Sequence, residues 1–67
     1  MRISERAFFI AMANKGYSKK ELAKRAGVSV LTVTNLLLHG AKAYPATIGK
    51  LAKALNVEVT DLLAPEN

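Results

Sequence analysis

The sequence has no cysteine, no tryptophan, only two prolines and one histidine in 67 residues. Without cysteine there can be no disulfide staple and no thiolate metal site. The acidic residues are few as well. Glu5, Glu21, Glu58, Asp61 and Glu66 form no pair at a spacing useful for acid–base catalysis. No glycine-rich phosphate loop is present. His39 reads as the last exposed residue of a helix rather than as a base or a ligand. An enzyme is therefore not expected, nor a metal, nor any cofactor. Long apolar runs are also missing, so no segment approaches the roughly 20 residues of a membrane span. The N-terminus lacks the cleavage pattern of a signal peptide. A cytoplasmic residence fits, with no membrane partner.

What is present is apolar and basic. A chain of 67 residues is expected to form one domain, 1–67. A domain of this size buries only about 60% of its unfolded surface, so it is marginal alone. The hydrophobic fraction of 51% is enough for a core and argues against disorder. Net charge is +5, and the bases are unevenly spread. Lys15, Lys19, Lys20, Lys24 and Arg25 lie close together, opposed only by Glu21, whereas no base follows Lys53. That asymmetry suits a polyanion partner on one side, or simply a solvated surface.

The local signals are helical throughout. At 18–39 they describe two short helices around a tight turn. Ser18 can cap the first, with Glu21 reaching back to the Ser18 N–H as a capping box. Leu22, Ala23 and Ala26 form its narrow apolar stripe, and Ala23 is small where the two helices cross. Gly27 supplies the left-handed residue that ends it. Ser29 can cap the second helix, expected at 30–39 and closed by Gly40. There Val33 and Leu36 face the core, while Val30, Leu31, Thr34, Asn35 and Leu38 face elsewhere. Before this motif, residues 1–14 should form a helix capped by Ser4 and stopped at Gly16, with Phe8, Ala11 and Met12 inward. After it, residues 41–44 make a short loop and Pro45 opens a fourth helix. Ile48, Leu51, Ala52 and Leu55 form its inner face, and Asn56 ends it. Leu62 and Leu63 anchor a last short helix, followed by a frayed tail at 65–67. No strand or repeat is visible.

The run Tyr17-Ser18-Lys19-Lys20-Glu21-Leu22-Ala23-Lys24-Arg25-Ala26-Gly27-Val28-Ser29 resembles the first motif helix and turn of the small phage-repressor-like, Cro/C1-type helix-turn-helix domains. Thr47 to Val57 looks like that family's fourth helix, and Val59 to Leu63 resembles its fifth. The resemblance implies an all-α fold, a compact five-helix bundle of the lambda-repressor-like type. It also implies a duplex-DNA-binding, repressor-like regulator of phage or prophage kind. In that family the second motif helix enters the major groove. Carried onto this chain, the base-contact candidates are Ser29, Val30, Leu31, Thr34 and Asn35, with Leu38 beyond them. Asn35 is the strongest, since its amide can bond adenine N6 and N7 together. Ser29 is divided between capping and base contact.

The family usually carries polar residues where this chain has Val30 and Leu31. An apolar pair can meet only thymine methyls or sugars, which leaves direct readout weak or A·T-leaning. Alternatively these two, with Leu37 and Leu38, meet a protein. The fold would then serve an interaction module, antirepressor- or antitoxin-like. Phosphate candidates are Lys19, Lys20, Lys42 and the Tyr17 hydroxyl, with Lys24, Arg25, Lys50 and Lys53 as solvent charges. One recognition helix reads few base pairs, so a homodimer is expected. Phe9, Ile10, Leu62 and Leu63 are the candidate dimer contacts, as surplus apolar surface.

Overall fold

Residues 2–39 and 44–64 are described by the computed structural model of the chain. Five helices follow one another: α1 (Glu5–Lys15), α2 (Lys19–Ala26), α3 (Val30–His39), α4 (Pro45–Leu55) and α5 (Val59–Leu62). This is the expected all-α bundle. The expectations for Gly40, the 41–43 part of the loop, the His39 side chain and the tail at 65–67 fall outside the described residues.

Each helix starts and stops where local chemistry allows it. The hydroxyls of Ser4, Ser18 and Ser29 accept from the backbone N–H of Ala7, Glu21 and Thr32, at 3.2, 3.1 and 3.1 Å. Each such cap is worth about 1 kcal/mol. Gly16, Gly27 and Asn56 end α1, α2 and α4 with φ of 70°, 72° and 56°. Pro45 takes the first turn of α4, where a missing N–H costs nothing.

Three expectations need correction. First, α1 begins at Glu5 rather than at the N-terminus. Ser4 is its cap, so residues before it are excluded from the helix. Arg2 and Ile3 lie outside it instead, and Ile3 pairs with Leu63 in an isolated antiparallel bridge. The Ser4 N–H donates to the Leu62 carbonyl at 2.8 Å, and the Ala64 N–H to the Arg2 carbonyl at 2.9 Å. The two ends of the bundle are thereby tied together. Ile3, only 1% exposed, becomes part of the core.

Second, the Ser18–Glu21 capping box is half made. Ser18 holds the Glu21 N–H, but the Glu21 carboxylate turns to Arg25, 2.7 Å away. The guanidinium one turn later offers a charged donor where the Ser18 N–H offers a neutral one. The reciprocal arm appears in α5 instead, where Asp61 accepts from the Glu58 N–H at 3.1 Å.

Third, Leu62 is not available as a dimer contact. It is fully buried against α1 and α4. Leu63 is half-buried, held against the core by its bridge to Ile3. A four-residue helix must bury its one leucine to stay docked, and the main-chain bridge takes the next residue.

The core is assembled from one stripe per helix. Phe8, Ala11 and Met12 of α1 meet Leu22, Ala23 and Ala26 of α2, Val33 and Leu36 of α3, and Ile48, Leu51, Ala52 and Leu55 of α4. No polar or charged residue is among the buried ones described. Ala23 lies where α2 packs on both α3 and α4, and a methyl side chain lets those backbones approach. The Cα radius of gyration is 10.3 Å, close to the roughly 11 Å of one domain of this length.

Candidate nucleic-acid interface

α2 and α3 are joined by Gly27, Val28 and Ser29. The left-handed Gly27 reverses the chain, and the Val28 N–H donates back to the Ala23 carbonyl at 3.0 Å. Val28 is half-buried on the core, which fixes the angle at which α3 leaves the turn. Ser29 then caps α3, and its Oγ lies 2.9 Å from the Thr32 Oγ1. The Ser29 hydroxyl is thus committed to the cap, the first of its two expected roles.

With α3 anchored inward by Val33 and Leu36, a helical repeat of 3.6 residues sends positions 30, 31, 34, 35 and 38 outward. Val30, Leu31, Asn35 and Leu38 are exposed, Leu31 at 67% and Leu38 at 63%; Thr34 is half-buried. All four candidate base readers on α3 therefore share one face. Leu37 does not join them, because it leans on the core beside Val33 and Leu36. The outward apolar surface of α3 is Val30, Leu31 and Leu38.

Lys19 and Lys20 are the first two residues of α2 and are exposed. They sit at the positive end of the helix, where the first backbone N–H groups have no acceptor within the helix. Neither lysine is in an ion pair among the described residues, whose one such pair is Glu21–Arg25. Lys19 also borders a shallow apolar groove shared with Phe9 and Met12 of α1 and Leu37 of α3. The start of α2 and the later half of α3 thus frame a common surface. Lys42 lies outside the described residues. Tyr17 is half-buried with its ring on the core, and the Arg25 guanidinium carbon stands 4.9 Å from the ring centroid. Arg25 is exposed, as expected of a solvent charge, and is in addition engaged by two neighbours. Its stacking on Tyr17 and its pairing with Glu21 hold it at the edge of the motif. The signal for this was present: Glu21 and Arg25 are four residues apart on one helix face. Lys24, Lys50 and Lys53 are exposed as expected.

On α1, Phe9 is 64% exposed and Ile10 is exposed beside it. Of the four dimer candidates these two are exposed, Leu63 is half-buried and Leu62 is buried. Among the described residues no helix is long and apolar enough to cross a membrane.

A family model described as the Cro/C1-type helix-turn-helix DNA-binding domain matches residues 10–67. Among solved structures, a variant of hydroxyethylphosphonate dioxygenase is similar over the whole chain, with a TM-score of 0.87 and 30% identity, this chain covering 14% of that one. A structure titled native PhpD with cadmium atoms is similar with a TM-score of 0.86 and 30% identity, at the same coverage of 100% and 14%. The chain thus spans 14% of the length of these solved chains. No curated protein matches it.

Proposed function

The chain belongs to the Cro/C1-type helix-turn-helix DNA-binding family, and from that premise we propose that this DNA-binding regulator acts as a sequence-specific, repressor-like protein of phage or prophage kind. The observation that carries the reading is the placement of α3. Val30, Leu31, Asn35 and Leu38 are exposed on its outward face, and Leu37 of the same helix shares a shallow groove with Lys19 at the start of α2, a lysine in no ion pair among the described residues. Val30, Leu31, Thr34 and Asn35 meet base edges, with Ser29 at the first turn serving chiefly as the cap. Lys19, Lys20 and Lys42 meet phosphates, and Tyr17, oriented by Arg25, adds a hydroxyl. The protein works as a homodimer, in the cytoplasm, and carries out no catalysis. Phe9 and Ile10 supply the dimer contact, since contiguous exposed apolar surface usually marks an interface.

Titration of a fluorescent random duplex at several salt concentrations tests this reading. Affinity should fall steeply with salt. Lys19→Ala and Lys20→Ala should each flatten the log–log slope by about 0.9. Asn35→Ala should leave the slope alone and cost about 1–3 kcal/mol on a preferred site only. A lack of salt-sensitive affinity for any duplex would sink the reading.

A second reading has its own support, the exposure of Leu31 and Leu38. An apolar outward face also serves an interaction module, antirepressor- or antitoxin-like. The similar solved chains include an enzyme in which the matching part is 14% of the length. Loss of duplex binding with retained folding would bring this reading to first place.

A further inference from the structure

Resting on the duplex-DNA reading above, we propose that α3 reads C5-methyl groups in the major groove, carried by thymine or by 5-methylcytosine. The argument begins with the hydrogen-bonding groups this face has to offer. Val30, Leu31 and Leu38 have none. The Ser29 hydroxyl is taken up by the Thr32 N–H at 3.1 Å and the Thr32 hydroxyl at 2.9 Å. Thr34 is half-buried. Among the described side chains, Asn35 is the one that is both exposed and polar on the outward face of α3. The positions 30, 31, 34, 35 and 38 follow i, i+1, i+4, i+5 and i+8, so aliphatic carbon covers the first turn and the third, with Asn35 between.

Base edges in the major groove are mostly donors and acceptors. Guanine, adenine and unmodified cytosine present only such groups, and thymine alone among the four adds a methyl. An aliphatic side chain pressed on a polar edge strips its water and returns no bond, which is unfavourable. Pressed on a methyl, it removes apolar surface from water, which is favourable. The face therefore discriminates in both directions, and the same chemistry admits a cytosine methylated at C5. Asn35 is consistent with this, because an A·T pair offers the adenine N6 and N7 beside the thymine methyl. Charge argues for DNA as the occupant. The chain carries +5, and Lys19, beside Leu37 and in no ion pair among the described residues, complements a phosphate backbone.

The test uses the full chain and a duplex enriched by it from a random pool, made in three forms. One carries thymine, one has deoxyuridine in place of thymine, and one has 5-methylcytosine in place of cytosine. Deoxyuridine removes the methyl and keeps every hydrogen-bonding group. Binding should weaken about fourfold for each contacted methyl lost. Leu31→Ser should shrink that difference while leaving the salt slope unchanged, since it touches no phosphate. Leu38→Ser serves as a second variant, and thermal melting checks that both fold. A gain with 5-methylcytosine extends the preference to modified cytosine, and no gain assigns it to thymine. Equal affinity for the thymine and uracil forms would overturn the proposal. So would a difference that survives in both serine variants, since that reports duplex shape. Absence of salt-sensitive binding to all three forms would remove the DNA reading itself.

Discussion

Two glycines of this chain should respond oppositely to the same substitution. Gly27 stands at φ 72°, ψ 34°, and a Cβ built there meets nothing within 4 Å. Space is therefore not the constraint at Gly27, and the whole cost of an alanine is conformational. A side chain in the left-handed region costs roughly 1–2 kcal/mol. Gly49 lies inside α4, without a positive φ, and a Cβ there also meets nothing within 4 Å. Glycine in a helix interior is less favourable than alanine by about 0.8–1.0 kcal/mol. Nothing in the described structure requires a glycine at position 49. Gly49→Ala should thus stabilise by about 1 kcal/mol, and Gly27→Ala should destabilise by about 1–2 kcal/mol. For a domain of this length each kcal/mol moves the melting temperature by about 4–8 °C. Circular dichroism at 222 nm (far-UV helix signal) during a thermal ramp should place the variants on opposite sides of the parent. A Gly27→Ala variant that melts with the parent would refute the turn argument. A Gly49→Ala variant that melts lower would show an unrecognised constraint in α4.

Leu62→Ala should cost about 2–5 kcal/mol, because a fully buried leucine leaves a cavity beneath α5; the loss should not depend on protein concentration. Ala23→Leu should overpack the junction of α2 with α3 and α4 and cost about 1–3 kcal/mol, read by urea unfolding. Phe9→Lys should leave the melting temperature nearly unchanged while weakening self-association in sedimentation experiments, and a parent protein that is monomeric at every concentration, on and off DNA, would exclude the dimer contact. Glu21→Gln should lower stability by no more than about 1 kcal/mol, since both partners of its ion pair are about half exposed and solvent-screened.

What could be read from the sequence is what depends on neighbours three or four residues away. The caps at Ser4, Ser18 and Ser29, the stops at Gly16, Gly27 and Asn56, and Pro45 at the start of α4 all rest on such local contacts. The inward stripes of α1 to α4 follow from helical period, and the period also set the outward positions of α3. The tertiary structure decided matters in which two local options compete or distant segments meet. Glu21 could serve the Ser18 N–H or Arg25, and the orientation of Arg25 over Tyr17 goes with the second. Leu37 and Leu38 are adjacent leucines, and only the packing of α3 against α1 and α2 settles which one leans inward. Ile3 lies sixty positions from Leu63, so no local pattern could announce that the two ends would bridge, bury Ile3 and Leu62, and remove Leu62 from the exposed surface. Hydrogen bonds between chain ends form only after the helices between them have docked, because docking is what brings those ends within reach.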